Sequence, residues 1–143
     1  MKRAILAFLA GLVTWLLAVS VLDRGLRIAL AGYAVAEPKM TFTLGMMAAR
    51  LTIAAVTSVI AGAVAGWISP RGARVAGAMG AVLLAVFLPE HVRLWKAFPV
   101  WYHLTFLVTL VPLIVLGSWL TRTRTSGRPA ADDLSGQPAG HLR

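Results

Sequence analysis

The sequence contains no cysteine. That excludes disulfides, thiolate metal sites and thiol–disulfide exchange, including the quinone-linked disulfide chemistry of some four-helix membrane proteins. Acidic residues are scarce too, five against 14 Lys and Arg, and all charged residues together make up 13% of the chain. A soluble domain carries about a quarter. Catalytic motifs are missing: there is no Gly-rich phosphate loop, no G-x-S-x-G elbow and no H-E-x-x-H. No RNA- or DNA-binding motif accompanies the net charge of +9, so nucleic acid is not expected as a partner.

What the chain has instead is apolar length. Hydrophobic residues account for 59% of its 143 positions, and the mean hydropathy is +0.79. Four apolar stretches cover residues 4–22, 42–68, 74–89 and 102–120, with Arg50 as the one charge inside the second. A helix rises about 1.5 Å per residue, so roughly 20 apolar residues cross a bilayer's hydrocarbon core. The expected fold is therefore an all-α integral membrane four-helix bundle, with the lipid bilayer as its solvent. Met1-Lys2-Arg3 and the run after it are read as an uncleaved first span, since a signal peptide's apolar region is shorter.

The connection from Asp23 to Met40 contains Leu26, Ile28, Leu30 and Tyr33 and is expected to lie in the headgroup region, with Arg24 and Arg27 snorkelling. The second span ends at Trp67-Ile68-Ser69-Pro70, and a short connection makes the second and third spans antiparallel neighbours. Small residues recur four apart on both: Ala54, Ser58, Gly62 and Gly66 on one, Ala73, Gly77, Ala81 and Ala85 on the other. In lipid such stripes let backbones approach, so these two spans are expected to pack together through them. Pro89 is expected to open a short interfacial helix, and Pro112 to bend the fourth span. From residue 121 onward the composition is that of a disordered tail.

Lys2, Arg3, Arg71, Arg74, Arg122, Arg124 and Arg128 fall on the side of the termini; Arg24, Arg27, Lys39, Arg93 and Lys96 fall on the other. That excess favours both termini in the cytoplasm. Counting along the helices places Arg50, Glu90, His91 and His103 about 24–26 Å above the inner anchors. Asp23 closes the first span on the same side. Asp23, Arg50, Glu90, His91 and His103 are thus the candidate site for a partner, a lipid headgroup or a small ligand. Trp95, Trp101 and Tyr102 read as an aromatic belt that anchors the interface. Two histidines and Glu90 are a weak donor set for metal or haem, so no cofactor is expected.

The segment His91-x-x-Leu94-Trp95-x-x-Phe98-Pro99-x-Trp101-Tyr102-His103-Leu104-Thr105-Phe106, with Thr41 to Arg50 upstream, resembles a family of small bacterial four-span inner-membrane proteins. The resemblance spans most of residues 1–120. It implies a bacterial inner-membrane location and a helical bundle, and it carries over no catalytic role. The expected function is a non-enzymatic structural or accessory one, in a homo-oligomer or a larger membrane complex. An oligomeric transporter or channel is the alternative, although no acid lies within the first span before Asp23. A haem- or metal-dependent redox component ranks third.

Overall fold

A computed structural model describes residues 1–125, and among them every regular element is an α-helix: α1 (Lys2–Ala29), α2 (Tyr33–Ala36), α3 (Leu44–Ile68), α4 (Gly72–Arg93) and α5 (Val100–Thr125). The four long helices are each apolar enough to cross a membrane. Leu6, Leu9, Val13, Leu17 and Val21 of α1, with Val86, Leu104, Val108 and Leu116 elsewhere, point outward. In lipid such a surface needs no cover, because hydrocarbon is as apolar as leucine. The chain is a multi-pass membrane protein.

Three helix ends differ from the sequence expectation, each for a local reason. α1 runs on to Ala29, past Asp23, because no breaker intervenes before Gly32, whose φ of 79° allows the reversal into α2. Asp23 therefore lies inside α1 and does not cap it. Likewise α4 continues through Pro89 to Arg93, so Pro89 opens no separate helix. Proline removes one N–H there, and membrane helices tolerate that loss when neighbours or water satisfy the freed carbonyl. α5 begins at Val100, directly after Pro99, and extends to Thr125. The expected tail lies, beyond Thr125, outside the described residues.

The small-residue stripe on α3 packs as expected, but against a different helix. A Cβ built on Gly62 would collide with the carbonyl of Ile114, one on Gly66 with that of Ser118, and one on Gly117 with that of Val59. α3 thus meets α5, its most extensive neighbour, backbone to backbone. Ser58 faces α1 and accepts a hydrogen bond from Trp15 Nε1 at 3.2 Å. On α4 the expected stripe is wrong: Ala81 and Ala85 are exposed, and nothing lies within 4 Å of a Cβ on Gly77. The buried face is Val75, Ala76, Met79, Gly80 and Leu83 instead. Both faces carry small residues, so spacing alone did not separate them. The α3–α4 contact is among the smaller ones, with Gly72 backed against Gly66 near the connection.

The core below the cavity is filled by Trp15, Ala61, Ala76, Met79, Leu83, Leu110 and Ile114. Ala7, Ala65 and Val75 continue it toward the end where α1 and α4 start.

These contacts separate glycines that matter from one that does not. Gly62→Ala and Gly117→Ala are each expected to destabilise the bundle by about 1–3 kcal/mol, the usual cost of overpacking. Gly77→Ala should be neutral or slightly stabilising, since alanine is the better helix former. Thermal aggregation midpoints in detergent check this; equal midpoints for all three variants would refute the α3–α5 contact.

Candidate functional site

At the end of the bundle where α1 finishes and α5 begins, polar side chains from every helix converge. Arg50 stands in the second turn of α3, a helix opened by the Thr43 hydroxyl accepting from the Met46 N–H at 3.3 Å. An arginine inside an apolar span is costly unless it reaches an interface or a partner. This one does both. Its Nη1 donates to the Tyr33 hydroxyl at 2.7 Å, and its Nε donates a longer bond to the Tyr102 hydroxyl at 3.4 Å. Tyr33 in turn donates to Asp23 Oδ1 at 2.9 Å, and Nη1 lies 3.8 Å from the same oxygen. The guanidinium carbon sits 4.8 Å from the centre of the Phe42 ring, a cation–π distance.

Charge thus passes from cation through a phenol to a carboxylate, with aromatic faces closing around it. Phe42 packs against Tyr33, Phe98 stacks on Phe42, and Tyr102 stacks on Phe98 at 4.8 Å. Arg27 and Glu37, 2.8 Å apart, fasten α1 to the end of α2 and hold Tyr33 in place. Tyr33 lies outside the spans. Burial, then the hydrogen bond to Asp23, push its phenol up to about 12, against the pull of Arg50. It therefore remains a neutral donor throughout the physiological range.

Beside this network His91 of α4 and His103 of α5 face one another, Nδ1 to Nδ1, at 2.7 Å. A gap of that length holds a single proton, so one ring donates and the other accepts. His103 is 1% exposed, and its Nε2 has no hydrogen-bond partner among the described residues. Trp95 stacks on His103 at 4.9 Å, and Phe106 packs on His91 at 4.7 Å. Buried polar atoms are nearly always satisfied. Open bonding capacity in an aromatic setting therefore marks this pair.

The two constellations share a cavity of about 170 Å³, lined by Arg50, Glu90, His91, Tyr102 and His103, with Phe87, Phe98 and Phe106 as apolar wall. An apolar cavity of about 150 Å³ accommodates a benzene-sized ring, so the space suits one ring or a compact headgroup. Two opposite charges border it without meeting. Among the described residues Glu90 makes no ion pair and no side-chain hydrogen bond, and Arg50 Nη2 donates to none.

Of the five residues singled out from sequence, Arg50, Glu90, His91 and His103 line this cavity, and Asp23 lies behind it as the carboxylate of Arg50. Asp23, and not Glu90, is the carboxylate that Arg50 reaches. Tyr102 is buried and bonded to Arg50, so it is more than the interface anchor expected of it, whereas Trp101 is exposed as an anchor should be. Tyr33 and Phe42 were missed as site residues. The available signal was Tyr33 in the connection and Phe42 at the start of a span with an internal arginine. Among the described residues, no three His, Asp or Glu side chains are grouped closely enough to hold a metal ion. No family model, curated protein or solved structure matches the chain.

A Tyr102→Phe protein retains Tyr33 as its sole tyrosine. Its ultraviolet titration is expected to show ionisation near pH 12. Asp23→Asn should lower that value while leaving it above the free phenol's, because burial persists. Since the folded value is raised, Tyr33's contribution to stability is complete below about pH 10 and is lost as pH rises through 12. A free-phenol titration would refute the buried relay.

Proposed function

We propose that this protein is a non-enzymatic accessory component of a bacterial inner membrane, with both termini cytoplasmic, that binds a compact ligand or lipid headgroup in the outer-leaflet cavity. The observation that carries the reading is that Arg50 and Glu90 line one small aromatic-walled space and make no ion pair with each other. Within the fold Asp23 already serves Arg50, whereas Glu90 is exposed with no partner among the described residues and is therefore open to a ligand. The fitting occupant carries an anionic or acceptor group for Arg50 and a cationic or donor group for Glu90, with the His103 edge as a third contact.

Transport through a single chain has less support, because Trp15, Met79, Leu83, Leu110 and Ile114 fill the bundle below the cavity. The donor set for a resident metal is short of three ligands.

Two experiments test this reading. Native mass measurement of protein extracted from its own host is expected to show a retained small molecule, lipid or companion subunit. Glu90→Gln should reduce that species roughly tenfold, the worth of one charge-assisted hydrogen bond, without moving the thermal midpoint. Bare protein, or retention unaffected by Glu90→Gln, would reject the reading. For orientation, a membrane-impermeant maleimide applied to intact spheroplasts should label Lys96→Cys and spare Arg71→Cys; the reverse pattern would invert the topology.

A further inference from the structure

At the opposite end of the bundle α1 and α4 diverge and leave an open groove of about 440 Å³. Ile5, Phe8 and Leu9 form one wall, Val75 and Ala78 form the other, and Arg71 and Arg74 stand at its mouth. The walls are apolar, and Ile5 and Leu9 are more than half exposed to whatever occupies the groove. Neither arginine has a carboxylate partner among the described residues, where the ion pairs are Arg27–Glu37 and Arg50–Asp23. Lys2 and Arg3 start α1 at this same end. The three acids of the described residues, Asp23, Glu37 and Glu90, all lie at the other end. Basic charge is therefore concentrated, uncompensated, at the level where an apolar cleft opens.

From this juxtaposition we infer that the α1–α4 groove is a binding site for an anionic phospholipid, its phosphate held by Arg71 and Arg74 and an acyl chain laid along Ile5, Phe8 and Leu9. Basic pockets between membrane helices on the cytoplasmic side suit such headgroups. An acyl chain matches the walls, and a guanidinium pair matches a phosphate in charge and in hydrogen-bond geometry. The site lies a bilayer's depth from the outer cavity and stands independently of what that cavity binds.

The test uses the full chain in detergent, titrated with phosphatidylglycerol or phosphatidylcholine of identical dioleoyl chains and read by native mass spectrometry. Phosphatidylglycerol adducts are expected to exceed phosphatidylcholine adducts roughly thirtyfold, given two arginines at the membrane surface. The Arg71→Gln, Arg74→Gln double variant should abolish the preference. Ala78→Trp, which fills the groove and leaves every charge in place, should lower phosphatidylglycerol adducts to the phosphatidylcholine level; should the double variant fail to fold, this variant alone decides. Equal retention of the two lipids by the unmodified protein would overturn the inference, as would a preference that survives Ala78→Trp. So would adducts that form only after residues 126–143 are removed, since the chain's own segment, with Asp132 and Asp133, would then be the occupant.

Discussion

The register between α3 and α5 is the constraint on which the rest of the bundle depends. These helices run in the same direction, and three of their close contacts share one offset. Gly62 meets Ile114, Gly66 meets Ser118, and Arg50 meets Tyr102, in each case 52 residues apart. The first two contacts are backbone against backbone and admit no side chain on the α3 glycines. The third lies three turns away, about 18 Å along the helix. Packing with so little slack fixes rotation as well as translation, because a glycine surface tolerates close approach on one face only. A sliding of one residue between the helices would turn Arg50 away from Tyr102 by about 100°. The polar site is thus positioned by apolar contact far below it.

That explains how a charge can be held at the edge of lipid with modest direct pairing. The Arg50–Asp23 separation of 3.8 Å is long for a strong ion pair, and both side chains remain about one-third exposed. Such a pair contributes little by itself. The geometry relies instead on Tyr33, which accepts from the cation and donates to the carboxylate, and on aromatic faces that accept the guanidinium's flat surface. A phenol in the middle of such a relay polarises in both directions, and hydrogen bonds in series strengthen one another. Asp23 is used from behind, leaving the front of Arg50 toward the cavity.

Span number and rough position were legible because hydropathy in a bilayer is a property of the local sequence: roughly 20 apolar residues are needed wherever they fall. The convergence of Arg50, Glu90, His91 and His103 was legible for a related reason, since depth along a helix follows from counting residues. Rotation was not. The α3 stripe of Ser58, Gly62 and Gly66 is compatible with either neighbour, and α4 offers small residues on two faces, of which Ala76 and Gly80 are buried and Gly77 and Ala81 are not. Helix ends were also hidden, because Asp23, Arg24 and Pro89 lower hydropathy without breaking a helix. The roles of Tyr33 and Phe42 depended on the reversal at Gly32, which only the folded chain displays.

The distribution of carboxylates connects these points. Three described acids, all on one side of the bilayer, face a cavity or a basic neighbour there; the other side has arginines with none. Had the chain been selected only to span the membrane, acids and bases at each end would serve equally well as water-facing residues, and pairing them locally would lower the charge left near lipid. Instead, among the described residues, Glu90 lines the same cavity as Arg50 without pairing with it, and Arg71 and Arg74 stand beside an apolar groove without a carboxylate partner. Among the described residues charge is therefore segregated, with the acids at the end where α1 finishes and arginines without a carboxylate partner at the end where it starts.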